Sequence, residues 1–483
     1  MKQGSVRILF YNENADSIVA SAGRISTTKG GADAIYEKSC ARDKEENIRL
    51  IQKILSSGHT SVLEHVFLNL SFDNVSVFVE QFMIEFRLAS FTVKSRRYVD
   101  FGKMGYVTPD FACCGERAAA SEELYGSHME YLFKEYEFLL EQGIPKEDAR
   151  FVLPYSFRSN FYCTVNAREL VKIVNEMVWG RGRKYPEIAA LGSSLIAQCE
   201  ETLPFLPFES SGFKKEQTEK TKEAENQEWP GSGETEFPSF FSGKGIKTAQ
   251  PGSVTEDHEA PVVLVDGPAH PEEMICRAAA LSAGGRLQAD WPDPHVQKEV
   301  IRNILSHSRR RELEQVNFTI LFNGVSLSGV THLVRHRMQS ILVPDYLASC
   351  DFKRYITPES IVKAGLKERY EEVFAKSQRT AERLRKNGFA ESSMAYLLLS
   401  GLTIPVLTTM NANELLTFIR LRTCSRAQWE IAGRAKELLR ILRRRYPALF
   451  SLYGPGCYMD GACPEGRMSC GRMKEVRELF SLG

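Results

Sequence analysis

Polar and apolar positions alternate along FLNLSF, Phe67–Phe72, and again along NFTILF, Asn317–Phe322. A period of two predicts a half-buried strand in each stretch. Shorter apolar runs, VRILFY from Val6 and VVLV from Val262, predict two further strands. In NIRLIQKILSSG from Asn47 and VQKEVIRNILS from Val296, apolar residues recur three and four apart, the spacing of one helix face. After each alternating strand a further helix is expected to end at an arginine-rich loop, EFRLASFTVKSRRY (Glu85–Tyr98) or VRHRMQSILVPDY (Val334–Tyr346). Long helical patterns fill the remainder, from Ser121 to Gly143, Leu366 to Gly388 and Ala427 to Pro447. The expected class is α+β, with helices outnumbering strands.

These elements come in the same order twice. ILSSGHTSVLEH from Ile54 resembles ILSHSRRRELEQ from Ile304, an offset of 250 that also pairs Ser76 with Ser326 and Glu85 with Arg335. TVNARELVKIV resembles TMNANELLTFI at an offset of 245, with Asn166 matching Asn411. A period this long is a duplicated domain rather than a solenoid. Between Ser211 and Glu259 charge, Gly, Pro and Ser dominate, too polar to repay ordering by burial, which predicts a flexible linker. The expected organisation is a first domain over 1–210, a linker over 211–259, a second domain over 260–453 and a tail over 454–483 rich in Cys and Gly.

Composition narrows the function. A net charge of +1 over 483 residues gives no electrostatic case for a nucleic-acid or membrane-surface partner. The start lacks the apolar core of a signal peptide, and no apolar run is long enough to span a bilayer. Eleven cysteines without an export signal suggest the cytoplasm and mostly free thiols. Cys457, Cys463 and Cys470 could bind a metal with a fourth ligand. Their spacing is not the paired C-x-x-C, however, so they read as free thiols and no metal is assigned.

The chemistry sits in the arginine-rich loops. Arg335, His336 and Arg337 end a helix, and Pro344 soon forbids its continuation. Composition alone favours a solvated helix end, where cations meet the dipole. Guanidinium forks at such a place also suit a phosphate or a carbonyl-rich ring. His59 and the asparagine of VNAR (Asn166) each read as candidate helix caps.

Taken together, GHTSVLEH (Gly58–His65), RLASFTVKSRRY (Arg87–Tyr98), ARFVLP (Ala149–Pro154), VNAR (Val165–Arg168), RHR and FIRLRTCSRAQWEI (Phe418–Ile431) resemble the flavin-dependent thymidylate synthases, the ThyX family. The resemblance implies reductive methylation of dUMP to dTMP, with FAD as hydride carrier and NADPH and methylenetetrahydrofolate as co-substrates. It implies that Arg422 and Ser95 are catalytic. His332, Arg335, Arg96, Arg97 and Arg150 would bind the nucleotide together with them, and His59, Ser61, Arg335, His336, Arg337, Asn166, Arg168 and Asn411 would hold FAD. A homodimer of tandem chains would supply the family's four domains. A flavoenzyme acting on another pyrimidine nucleotide, or a non-catalytic nucleotide or flavin sensor, are the alternatives.

The two copies depart from the family signature in complementary ways. The first has Glu85 and Phe86 where the second has Arg335 and His336, and Met177 opposite Arg422. The second has Asp345, Leu347 and Ala395 opposite Ser95, Arg97 and Arg150. Thr92 and Val93 replace the family's usual Asn-Glu. In that family the nucleotide site is built across subunits, so the resemblance implies one site composed of Arg335 and Arg422 from the second copy and Ser95, Arg97 and Arg150 from the first.

Overall fold

The computed structural model describes residues 4–208, 260–285 and 293–481. The expected linker, 211–259, lies outside the described residues. Each half carries one four-stranded sheet. In the first, β1 (Ser5–Tyr11), β2 (Phe67–Ser76), β3 (Ser90–Val93) and β4 (Arg158–Asn166) run in the order β1-β2-β4-β3. In the second, β5 (Val262–Asp266), β6 (Asn317–Ser326), β7 (Ser340–Leu342) and β8 (Thr403–Asn411) repeat it as β5-β6-β8-β7. The α+β class is as expected, and the four predicted strands are β1, β2, β5 and β6.

The second sheet is antiparallel, with Val263 opposite Leu321, Ile320 opposite Thr408 and Thr408 opposite Ile341. Phe318, Ile320 and Phe322 are fully buried on one face of β6, which is what the alternation in NFTILF requires. Pro405 interrupts β8 without breaking it. The β6–β8 register shifts between Phe322 and Val325, opposite Val406 and Ile404, so the residue that cannot donate falls at an irregularity and faces solvent.

By compactness the chain divides into two units. One gathers Ser71–Cys163 with the second half, and the other holds Val6–Leu70 with the part of the first half that follows Cys163. Within the first of these units the duplicated segments meet with two-fold reciprocity. Ser400 N donates to Leu153 O at 2.9 Å, and Tyr155 N donates to Leu398 O at 2.7 Å. Pro154 bridges Leu399, its own counterpart at the 245 offset, so a local pseudo-two-fold axis passes between them. Arg87 Nη1 donates to Gln339 O at 2.7 Å while Arg337 Nη1 donates to Ala89 O at 3.1 Å, each arginine reaching the carbonyl equivalent to the other's. This is the isologous pattern of a symmetric dimer written into one chain. The backbones approach closely at Gly401: a Cβ there would lie 3.0 Å from Phe151 Cβ and 3.1 Å from Phe151 O, tight enough that a neighbour would have to give.

Long helices surround this junction, Ala118–Glu141 from the first half and Lys367–Lys386 and Trp429–Arg445 from the second. The cationic end of the last, RILRRRYP (Arg440–Pro447), is not fully solvated. Arg443 is buried, with its guanidinium donating to the carbonyls of Phe450 (3.2 Å), Tyr453 (2.8 Å) and Phe480 (2.9 Å), and it thereby ties down the terminal helix Met473–Ser481. Among the described residues, no helix is long and apolar enough to cross a membrane.

Candidate functional site

The second half's contribution begins at Ser326, the N-cap of the helix Leu327–Leu333. Its Oγ accepts from Gly329 N at 2.9 Å, and Glu430 receives both Ser326 N (2.8 Å) and Ser326 Oγ (2.5 Å). Glu430 is buried, which raises its pKa despite Arg434 nearby. The glutamate of AQWEI therefore fixes the start of the helix whose end delivers Arg335, His336 and Arg337.

His336 is buried and fully engaged. Arg422 Nε donates to its Nε2 at 2.9 Å, and its Nδ1 lies 3.1 Å from Glu414 Oε1. A guanidinium only donates, so Nε2 must be the bare nitrogen and Nδ1 must carry the proton. Burial lowers the imidazole pKa, with Glu414 opposing the shift, so the ring is neutral. Phe418 packs edge-on against it at 5.0 Å. Phe418 and Arg422 thus meet one histidine from one helix face, which gives F-x-x-x-R its spacing. Arg422 Nη2 donates to His332 O at 3.1 Å, and Nη1 makes no hydrogen bond among the described residues.

The first half supplies the loop after β3. Ser95 Oγ accepts from Arg97 N at 3.3 Å. Arg96 is buried and donates to Glu80 Oε1 at 2.8 Å. Arg97 pairs with Glu147, and its Nη1 donates across the halves to Arg426 O at 3.1 Å. Arg150, also buried, donates from Nε to Glu147 O at 3.0 Å. Its segment is clamped from the second half, because Asp148 receives Trp429 Nε1 at 2.6 Å and Ser360 Oγ at 2.5 Å.

These arginines converge. Arg150 is lowered to about 9, by burial first and then by Arg96 and Arg97. Arg422 is lowered to about 10, by burial, Arg335 and Arg97. Arg335, although exposed, is lowered by desolvation and then by Arg96. His332 is buried among Arg150, Arg422, Arg335 and Arg96 and held well below the usual imidazole range, so it is neutral. His332 Nε2, Arg96 Nη1 and Arg150 Nη2 are buried without a hydrogen-bond partner. Five guanidiniums against Glu80, Glu147 and Glu430 leave an excess of positive charge with unspent donors, an arrangement suited to an anion. The residues expected at one cross-half site are thus brought together.

The residues expected around FAD are distributed differently. His59 and Ser61 are exposed, at and just inside the turn Thr60–His65. His59 makes no capping bond there. Asn166 and Asn411 both cap helices, accepting from Glu169 N and Glu414 N at 2.8 Å each. Arg168 pairs with Glu64 at the surface, a contact weak enough to be exchanged for a phosphate. Arg337 spends Nη1 on Ala89 O and Ser90 Oγ. Within their own unit His59 and Ser61 are thus exposed and Arg168 lies at the surface, whereas both ring nitrogens of His336 are engaged, by Glu414 and Arg422.

Glu80, Glu147, Asp148, Glu414 and Glu430 carry the positioning and were not singled out in the sequence. One of them was legible: Asn411-x-x-Glu414 has the spacing of a capping box. In the tail, the Cys457 thiol is pushed up by burial and by Cys424, Cys463 and Cys470. All eleven cysteines are free, and no group of three or more His, Cys, Asp or Glu among the described residues is arranged to hold a metal.

The model of a family described as thymidylate synthase complementing protein matches the chain twice, over residues 7–205 and 263–448. The flavin-dependent thymidylate synthase of Clostridium tetani is 30% identical over 241 residues, covering 45% of this chain and 96% of that protein. That of Geobacter sulfurreducens is 35% identical over 191 residues, covering 37% and 78%. The crystal structure of a UMP/dUMP methylase PolB from Streptomyces cacaoi, bound with 5-Br dUMP, is similar at 22% identity and a TM-score of 0.36, covering 42% of this chain and 93% of that one. With the Clostridium tetani relative spanned nearly end to end by less than half of its length, and the family matched once in each half, the chain belongs to the flavin-dependent thymidylate synthases and carries their domain twice in tandem.

Proposed function

We propose that the chain methylates dUMP to dTMP, drawing on FAD, NADPH and methylenetetrahydrofolate, at one site per chain built across its two halves. We read those halves as domains over 1–210 and 260–453, joined by the linker 211–259 and followed by the tail 454–483. The observation that carries this reading is the meeting of Arg335 and Arg422 with Arg96, Arg97 and Arg150. The nucleotide phosphate is held by Arg97 and Arg150, with Arg96 Nη1 available beside them and Ser95 in the same loop. The pyrimidine lies toward Arg422, whose free Nη1 stabilises the negative charge that develops as the ring carbon becomes nucleophilic. Neutral His332 adds a hydrogen-bonding nitrogen without adding charge. FAD, toward which the resemblance assigns His59, Ser61 and Arg168, would supply the hydride for the methyl group.

The purified protein is expected to be yellow, to bind FAD saturably, and to form dTMP from dUMP when methylenetetrahydrofolate and NADPH are added. A colourless protein without saturable FAD binding, or a flavin-loaded one that leaves dUMP unchanged, would overturn the reading. Two tandem chains supply four family domains, so a homodimer is part of the same proposal. Light scattering should give twice the chain mass of 54.6 kDa, and a fully active species at the single-chain mass excludes the dimer.

A further inference from the structure

Arg422 is held by two bonds from its own half, and the more directional of them depends on which nitrogen of His336 is bare. An Nε2–H tautomer, or an imidazolium, would turn a proton toward the Arg422 Nε–H and break the 2.9 Å bond. Glu414 decides between these states, since its carboxylate can only accept and lies 3.1 Å from Nδ1. We propose that Glu414 is a positioning residue for Arg422, acting through His336: by accepting the Nδ1 proton it keeps Nε2 bare and the guanidinium aimed at the substrate.

The duplicated half acts as an internal control. Glu169 holds the same third position of a helix capped by an asparagine, and there the carboxylate lies 3.4 Å from Lys172 Nζ. The residues matching His336, Phe418 and Arg422 in that half are Phe86, Ile173 and Met177, all without a hydrogen-bonding group. A glutamate in the first turn favours its helix in both halves. Only in the second does it also have a histidine and an arginine to order.

The inference rests on the proposed activity for its kinetic test but has a readout of its own. The groups facing the imidazole are Glu414 and Arg422, with Phe418 packed against its edge. Glu414 raises the His336 pKa against burial and Arg422 lowers it. Removing the carboxylate must therefore move the titration further down. In protein carrying isotope-labelled histidine, NMR titration is expected to show His336 neutral to lower pH in Glu414→Gln than in wild type. A His336 resonance that titrates identically in the two would overturn the inference, whether or not dUMP is the substrate.

In turnover, Glu414→Ala is expected to lower kcat by roughly tenfold, the scale typical of losing an outer orienting partner, with less effect on the KM for dUMP. Glu414→Gln keeps an accepting oxygen and is expected to recover most of kcat, with the acid limb of its pH profile displaced downward. In a His336→Asn background the same substitution should displace nothing. Equal losses of kcat in Gln and Ala with an unmoved acid limb would reduce Glu414 to a helix-terminal charge and overturn the proposal. Wild-type protein with no turnover, combined with the expected NMR shift, would instead fault the assigned reaction and leave the relay standing.

Discussion

Replacing Arg422 with alanine is expected to lower kcat for dTMP formation by about 10²–10³-fold while leaving the protein folded, on the scale of losing one preorganised donor to a developing anion. The effect on folding is smaller because two contributions oppose each other. Deleting the side chain leaves the buried Nε2 of His336 and the carbonyl of His332 without a donor, which costs about 1–3 kcal/mol for an unsatisfied buried group. It also removes one cation from a crowd in which Arg335 and Arg97 already depress the Arg422 pKa, and that relief is favourable. Arg422→Lys separates charge from geometry. A lysine keeps the cation and three N–H donors, but on a single nitrogen they cannot span His336, His332 and the ring as the planar guanidinium does, so it should recover only part of the loss. Steady-state kinetics on both variants, with thermal melting as the control for folding, make the check. Wild-type kcat in folded Arg422→Ala would remove this residue from the chemistry.

Much of this site could be read from the chain, for a specific physical reason. The family resemblance names Arg335, Arg422, Arg97 and Arg150, and two copies of the signature at a near-constant offset make a loss in one visible against retention in the other. What could not be read is what holds them. Arg337 and Arg87 survive in both copies because each reaches a carbonyl equivalent to the other's, a contact between segments some 250 residues apart that no local pattern reveals. The resemblance offers His336 as a flavin residue, yet its ring is turned inward between Glu414 and Arg422. Strands β4 and β8 show buried Phe161, Cys163 and Val165, and Ile404, Val406 and Thr408, alternating with exposed neighbours. Their signal was masked because β4 runs into the VNAR motif and Pro405 sits inside β8. Glu147 and Asp148 are ordinary charges by composition, and only Arg97, Arg150 and Trp429 gathered from three elements give them their roles.

Calorimetric titration of the FAD-loaded protein with dUMP is expected to saturate at one nucleotide per chain, although each chain carries two synthase domains. The pairing opposite to the proposed site is also assembled in the fold: Tyr346 Oη donates to Glu85 Oε1 at 3.1 Å, bringing the counterpart of Arg335 beside the second half's serine-loop equivalent. What assembles there is the wrong chemistry for a nucleotide. Asp345, in the place of Ser95, caps the helix Tyr346–Ser349 through Leu347 N (2.9 Å) and Ala348 N (3.2 Å), and its charge would oppose a phosphate. Leu347, opposite Arg97, lines a cavity of about 230 Å³ with Cys350, Phe352, Met394 and Leu398. Arg385 also borders that cavity, but Asp351 and Glu382 line it too, so carboxylates outnumber the one guanidinium there. Ala395, opposite Arg150, is buried and offers no donor. Losing three charge-assisted contacts at about 1.4 kcal/mol each makes binding roughly a thousandfold weaker, before the repulsion of two carboxylates is added. Arg150→Met should then abolish the single binding event rather than halve the stoichiometry. Two equivalent sites in wild type, or one surviving full-strength site in Arg150→Met, would show that the halves do not divide the work in this way.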